Sequence, residues 1–502
     1  MRDEIPGKGF FEKEKRRPIQ EVMDLIQNKY VDTVDMNNLA DTAIHAMLAK
    51  LDPHSVFIPA KELEQVNEEI AGSFFGIGIE YNVFNDSMHV INVLKDGPSF
   101  KAGIKTGDRL LKANGIIISG RKIPTDSIRT ILRGTIGSTV DVVVLRRNKI
   151  LTIQIKRDMI PLTSIDAAYM IDSTSGYIRL NKFTRQTYRE FMQNLEVLKK
   201  QGMQNMILDL RGNGGGVLDE AVEIADEFLD GDKLVTYTIG EHYPRKEYRC
   251  RREGQFEKGA LVVLADEGTA SASEILIGAL QDWDRATIVG RRTFGKGLVQ
   301  DQFDLSDKSA LRLTIARYYT PIGRSIQRSY ASGGKAYYEE INNRFTDGEV
   351  FSADSVKNDS SKIYRTAGGK KVFGGGGISP DYFIAADTSR MGTTITRIYL
   401  KGLLNDYGYK FYIANPGLNE RYKSVGDFAK LFHMEESNWK FFEGLAGADS
   451  IDLKMLNEKE KIYLNRVLKA SIARQLWRNE GYFEVNNQED NAVQKAMELL
   501  HK

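Results

Sequence analysis

Ser271 stands in EGTASASE, directly after the apolar run ALVVLAD, so its hydroxyl falls where a buried strand hands over to a helix. A helix start leaves backbone N–H groups unpaired, and such groups can stabilise the oxyanion formed when a carbonyl is attacked. The same residues also spell a helix cap, because Ser271-x-x-Glu274 is a capping box in which the serine only opens the helix. Both readings are open on this stretch alone. A serine hydroxyl becomes an effective nucleophile only when a base takes its proton. Of the six histidines, only His242, in a Gly-Glu-His-Tyr-Pro turn, lies among the alternating strands and helices that hold Ser271. Lysine is the alternative base of Ser–Lys enzymes, and it must be neutral, through burial or a neighbouring positive charge. Lys296 lies between two glycines, near apolar Phe294, Leu298 and Val299, a setting that can bury an amine. Against this, most lysines are simply solvated surface residues.

Lys296 belongs to GRRTFGKG, residues 290–297, which nearly matches the phosphate-cradling loop of nucleotide hydrolases. That loop needs Ser or Thr after the lysine to hold magnesium, and Gly297 stands there instead. It must also lead from a strand into a helix, whereas GLVQDQFDL reads as a further strand. LDLRGNGGGV is a third stretch: glycines between a strand and a helix present N–H groups to an anion, as a phosphate site or as an oxyanion hole. Its spacing is not that of the dinucleotide fingerprint.

The elements that must position these residues follow from periodicity. Residues 1–70 read as mostly helical, with Val22, Leu25, Ile26 and Tyr30 at helical spacing, and Leu39, Ala43, Met47 and Leu51 on a second helix before Asp52-Pro53. KELEQVNEEI adds a short charged helix. Over 72–157, short β-rich runs (GIGIEY, MHVINVL, TVDVVVLRR, ILTIQIKR) alternate with glycine turns around one helix near Thr125–Arg133. Over 160–385, strands SGYIRL, NMILDL, ALVVLAD and ATIVG alternate with helices, which predicts an α/β layer fold; ALRLTIARYYT is a late strand. FTDGEVFSADSVKNDSSK reads as a polar surface loop. Residues 386–502 turn helical again, with Trp439 and Trp477, and with Ile462, Leu464, Val467, Leu468 and Ile472 on one apolar stripe.

The chain has 502 residues, 41% hydrophobic and 27% charged, which is ordinary globular composition with room for roughly three or four domains. A net charge of +2 gives no broad electrostatic case for nucleic acid or an acidic membrane. No apolar run approaches the ~20 residues that span a bilayer, and MRDEIPGKGFFEKEKRR holds no apolar signal core. Cys250 is the single cysteine, so neither a disulfide framework nor a cysteine metal cluster is expected.

Together, TASASEILIGALQD, RATIVGRRTFGKGLVQ, RYYTPIGRSIQ, GGGISPD, DLRGNGGG and YVD…LDPHS resemble the C-terminal processing peptidases, a family of Ser–Lys serine proteases, over roughly residues 20–385. The resemblance implies a multidomain α+β fold: an α/β peptidase core of the ClpP/crotonase-like type at 160–385, an inserted-looking PDZ domain at 72–157, and helical regions at 1–70 and 386–502. By carry-over Ser271 is the nucleophile and Lys296 the general base. Gln300, a helical or near-helical step beyond, orients the lysine. The oxyanion hole is the N–H of Ala272 and of a glycine in Gly214–Gly216, with Gly215 preferred, since the family commonly has Asn-Pro-Gly-Gly where this chain has Asn213-Gly214-Gly215-Gly216. SFFGIGIEY resembles the PDZ carboxylate-binding loop, with Gly76, Ile77, Gly78 and Ile79 presenting N–H groups, and DGPSFKAGIKTGDRLLKANG matches the later PDZ pattern. A peptide would add as a strand to the sheet edge and place its terminal carboxylate on that loop.

The function so implied is a serine endopeptidase that cleaves protein or peptide substrates with free C-termini near those termini, without metal, nucleotide or nucleic acid. The PDZ domain would capture substrate tails and gate the dyad. The family resemblance further implies a periplasmic or otherwise extracytoplasmic site, and a homodimer or higher oligomer through the N- or C-terminal helices. Residues 386–502 have no place on the common core of the family. A rival from another class is a non-catalytic PDZ scaffold on a dead peptidase, against which Ser271, Lys296 and Gln300 are all intact.

Overall fold

The computed structural model describes residues 17–356 and 362–502. Helices α1 (Pro18–Lys29) and α2 (Met36–Leu48) come first, and the Asp35 side chain caps α2 by accepting from Asn37 N and Asn38 N. Val22 and Leu25 lie in a helix as their spacing predicts, but both are exposed, and Leu51 falls beyond the end of α2. Strand β1 (Val56–Ile58) and helix α3 (Ala60–Ala71) follow, and Gly72 ends α3 with a left-handed φ of 74°.

Strand β2 (Ser73–Gly76) pairs antiparallel with β9 (Asp158–Pro161), so the two ends of the next module are stitched together. Between them lie β3 (Ile79–Phe84), β4 (Ser87–Val93), α4 (Pro98–Ala102), β5 (Arg109–Ala113), β6 (Ile116–Ile117), α5 (Thr125–Leu132), β7 (Thr139–Arg146) and β8 (Lys149–Lys156). The sheet order is β3-β4-β5-β7-β8, with β6 on β5. Val140, Val142 and Val144 alternate with outward residues along β7 and bury against Ile77, Met88, Leu110 and Ile128. β3 is left as an edge strand.

The central sheet runs β10-β11-β12-β15-β16-β21, parallel except for the antiparallel pair of β10 (Ile165–Met170) with β11 (Ser175–Leu180). Helix α6 (Thr187–Lys200) follows β11, α7 (Leu218–Asp226) follows β12 (Asn205–Asp209), and α8 (Ala272–Asp282) follows β15 (Leu261–Ala265). Strands β13 (Leu234–Ile239) and β14 (Lys246–Arg249) lie between α7 and β15. After α8 come β16 (Thr287–Gly290), β17 (Leu298–Asp304) and β18 (Ala310–Tyr319). A second, antiparallel sheet joins β1, β18, β13 and β14, with β17 also on β18. Helix α9 (Gly334–Thr346), the hairpin of β19 (Ile363–Arg365) with β20 (Lys371–Phe373), and β21 (Tyr382–Phe383) complete this part. The polar stretch read as a loop contains the end of α9 and a 3₁₀ turn at Ala353–Ser355; its residues 357–361, like residues 1–16, lie outside the described residues.

A largely parallel sheet must be covered on both faces. Met206, Leu208, Leu261, Val263 and Ile288 point to α6, α7 and α8. The intervening Ile207, Val262, Leu264 and Val289 point the other way, and there they meet Ala492, Val493, Ala496 and Leu500 of the chain's last helix. That helix, α16 (Asn491–Leu500), ends a helical region of α10 (Thr393–Leu400), α11 (Leu403–Ala414), α12 (Leu418–Arg421), α13 (Val425–Leu431), α14 (Glu436–Ala448) and α15 (Glu458–Asn487). The region has a core of its own around Tyr407, Phe428, Phe442, Leu464, Leu468 and Ile472, while Ile462, counted on that stripe in the sequence, faces solvent. α15 is broken at Trp477 and Arg478, whose φ/ψ are not helical.

Candidate active site

Ser271 sits at the N-cap of α8 with φ 55° and ψ −116°. A non-glycine residue there is strained by on the order of 1–3 kcal/mol and is held only by its surroundings. Those surroundings are specific. The Ser271 N–H donates to Glu274 Oε2 at 2.9 Å, and its carbonyl accepts from Glu274 N, from Ile275 N and from Tyr318 Oη.

Glu274 does more than cap. Its fully buried carboxylate also accepts from Thr293 Oγ1, from Gly295 N at 2.7 Å and from Lys296 N at 2.9 Å. One side chain therefore clasps the start of α8 and the lysine loop together. Burial pushes its pKa up, against the pull of these donors. Tyr318 makes a second clasp, its hydroxyl lying between the carbonyls of Ser271 (3.1 Å) and Lys296 (2.8 Å). The glycines around Lys296 serve the same turn. Gly295 has a left-handed φ of 86°, and a Cβ on Gly297 would press on the backbone of Gln327.

Lys296 Nζ donates to Gln300 Oε1 at 2.9 Å, so its hydrogen bond is to the glutamine rather than to Ser271. Gln300 is not a helical step away, as its spacing suggested. It lies on β17, where a register shift between Val299 and Gln300 turns its side chain back to the lysine. Gln300 Nε2 donates to the His54 carbonyl, which leaves Oε1 as the atom facing the amine. His54 is held in turn by Asp52, whose carboxylate accepts from His54 N, Ser55 N and Ser55 Oγ. Thus LDPHS, quoted for its family resemblance but given no role, is the backing of Gln300. Burial lowers the Lys296 pKa, and the Arg312 guanidinium lowers it further. Burial and the Lys296 charge also push His54 down to about 4. His242 is exposed in the turn between β13 and β14, away from these residues.

Gly214, Gly215 and Gly216 run alongside the serine: a Cβ on Gly215 would stand 2.8 Å from Ser271 Cβ and 2.7 Å from the Ala270 carbonyl. The preferred donor, Gly215, is corrected here, since its N–H donates to Asn213 Oδ1 at 2.9 Å. The N–H groups of Gly214, Gly216 and Ala272 carry no hydrogen bond to any of the described residues. Ser271, Ala272, Lys296, Gln300, Arg312 and Tyr318, with the three glycines, line one cavity of about 980 Å³, closed on one side by residues of α3. A hydroxyl, an amine disposed to lose its proton and unpaired N–H donors in one cavity can carry out acyl transfer. Among the described residues, no cluster of His, Cys, Asp or Glu is arranged to hold a metal ion.

The structure does not bring the PDZ-loop residues into this cavity. Gly76 ends β2, Ile79 begins β3, and the N–H groups of Ile77 and Gly78 between them are unpaired. Gly78 and Ile79 instead line a separate crevice of about 540 Å³, together with Trp477 and Arg478 of α15.

Residues 174–333 match the family Peptidase family S41, residues 76–156 the PDZ domain, and residues 7–62 the activating protease CtpB N-terminal domain. The carboxy-terminal-processing protease of Bartonella bacilliformis is 34% identical over 313 residues, 61% of this chain and 71% of that protein. A probable CtpA-like serine protease of Staphylococcus epidermidis is 34% identical over 312 residues, 62% of this chain and 63% of its own length, just under two thirds. A solved photosystem II D1 C-terminal processing protease is 27% identical and covers 73% of this chain and 87% of its own, at a TM-score of 0.37, too low to carry any geometry across.

Proposed function

The chain belongs to the carboxy-terminal-processing serine proteases of peptidase family S41, and from that premise we propose that it is an endopeptidase working through a Ser271–Lys296 dyad. Neutral Lys296 takes the Ser271 proton, and Oγ attacks the scissile carbonyl. The Ala272 N–H and an N–H of Gly214 or Gly216 hold the oxyanion. Lys296 then passes the proton to the leaving amine, and water hydrolyses the acyl-enzyme. Gln300 keeps the amine aimed. The observation that carries this reading is the double clasp of Glu274, one buried carboxylate bonded to the backbone of both Ser271 and Lys296.

The finer points rest on the same premise. The core is read as ClpP/crotonase-like, supported by its parallel strands with a helix after each of β11, β12 and β15. The four parts, 1–70, 72–157, 160–385 and 386–502, are taken as N-terminal helices, PDZ domain, peptidase core and helical region. The PDZ domain binds substrate C-termini and gates the dyad, supported by the unpaired N–H groups of Ile77 and Gly78. The exposed apolar residues of α1, Ile19, Val22 and Leu25, suit a contact with a second copy. No helix among the described residues is long and apolar enough to cross a membrane, and an extracytoplasmic site is proposed by analogy with the family.

The test is cleavage of an unfolded protein by wild type, Ser271→Ala and Lys296→Ala, with and without ATP and magnesium. Wild type is expected to cleave regardless of ATP, and each variant to lose on the order of 10⁴-fold or more in kcat. Cleavage that survives Ser271→Ala overturns the dyad and points to another nucleophile, whereas no cleavage by wild type favours the scaffold reading.

A further inference from the structure

From the helical region 386–502, Asp490 contacts the loop that runs on to lie against Ser271. Asp490 opens α16, where its carboxylate accepts from Ala492 N and Val493 N as an N-cap. The same carboxylate takes Arg211 Nη1 on both oxygens, at 3.0 Å each. Arg211 is the arginine of DLRGNGGG, so it stands at the head of the loop that lies against Ser271.

The far side of Arg211 is equally tied. Its Nε and Nη2 donate to Asp209, a fully buried carboxylate at the end of β12 that also receives Tyr177 Oη and Arg179 Nη1. Two guanidinium groups thus share Asp209, with Asp166 beside Arg179 and Asp490 on Arg211 as the further carboxylates around them. With Asp490 removed, Arg211 keeps Asp209 on Nε and Nη2 but loses the carboxylate on Nη1, so a largely buried guanidinium is left with one side unpaired, which is disfavoured. The side chain must then shift, and its backbone is the first peptide of the glycine loop. Gly212 N donates to Asp266 Oδ1, which also accepts from Gly268 N, and Asn213 O accepts from Ala270 N and Ser273 Oγ. The loop after β12 is therefore hydrogen-bonded directly to the loop that delivers Ser271, and the fit between them depends on where Arg211 holds Gly212.

We propose that Asp490 is a positioning residue of the peptidase: through Arg211 it sets the loop Gly212–Gly216, and so the N–H donors, against Ser271. The last helix is then part of the catalytic unit rather than an attachment to it. This rests on the dyad reading above. It makes a separate demand, because displaced oxyanion donors slow the chemical step without weakening substrate binding.

Asp490→Asn isolates the effect, since asparagine caps a helix as well as aspartate does but carries no charge for Arg211. In the full-length chain, Asp490→Asn is expected to melt within a few degrees of wild type. Its kcat should fall on the order of 10-fold or more, and the rate at which a fluorophosphonate labels Ser271 should fall with it. KM and the affinity for a peptide with a free C-terminus should stay unchanged. Asp490→Glu, which restores the charge, should recover part of kcat, whereas Asp490→Ala should lose stability as well as rate. A folded Asp490→Asn with wild-type kcat and labelling overturns the proposal, as does a fall in kcat that matches only a smaller folded fraction. Ser271→Ala run alongside separates the two readings. If it still cleaves, the dyad is wrong; if it is silent while Asp490→Asn is fully active, only the role of Asp490 is wrong.

Discussion

At the scale of single residues, the proposed base, Lys296, can take a proton only while uncharged, and its burial and the Arg312 charge decide how readily it is so. Burial and Arg312 both disfavour its ammonium form. The pKa therefore lies below the ordinary lysine value, and kcat/KM should rise with pH along a limb that ends below that value. Arg312→Gln removes the lowering charge, so the limb should move to higher pH, with activity lost at neutral pH and regained on raising it. Gln300→Glu should act in the same direction by a different route, placing a carboxylate where Oε1 now meets Nζ and removing the donor to the His54 carbonyl. A pH series on both variants checks this, and limbs that stay in place or move to lower pH would contradict it.

Among the elements, β3 is the one on which the proposed capture of substrate tails depends. It is an edge strand, it follows a loop with two unpaired N–H groups, and its pairing is confined to β4. A peptide added there gains backbone hydrogen bonds along its length, but only a free carboxylate can use the loop. Hydrogen bonds to a charged acceptor are worth about 1.5–3 kcal/mol. A peptide ending in a carboxylate should therefore bind roughly 10- to 100-fold more tightly than its C-terminal amide, measured by fluorescence anisotropy on the full chain. Equal affinities would remove the loop from carboxylate recognition.

Across the whole molecule, the helical region is the brace between the PDZ sheet and the core. Tyr409 stacks on Phe84 with ring centres 5.5 Å apart and meets His89 at 3.2 Å, and Asp406 accepts from Asn82. Arg478 donates to Glu80 at 2.7 Å from the break in α15, with a φ of 59° and ψ of −149°. That conformation is essentially reserved for glycine. Two substitutions divide its roles. Arg478→Ala and Arg478→Gly both lose the bond to Glu80, but only glycine relieves the backbone. The glycine variant should therefore be the more stable of the two by about 1 kcal/mol, read from thermal melts. Equal melting temperatures would show that the break is unstrained.

Local chemistry was legible in the sequence by itself. Period-2 and period-3.6 patterning placed α6, β12, β15, α8 and β16, because each buries one face through neighbours a few residues away. Ser271 before a helix and Lys296 between glycines were legible for the same reason, as were the family motifs that join them. Glu274 was visible only as a cap; its hold on Lys296 was hidden, since a carboxylate's other partners arrive from a different loop. Likewise the amide of Gly215 could not be known to turn toward Asn213, nor Gln300 to sit on a strand beside the His54 carbonyl. The last helix shows the limit most clearly. Ala492, Val493, Ala496 and Leu500 announce an amphipathic helix, but which surface it covers depends on a sheet whose nearest strand ends more than a hundred residues earlier. Apolar patterning says that a face must be buried, and only tertiary packing decides against what.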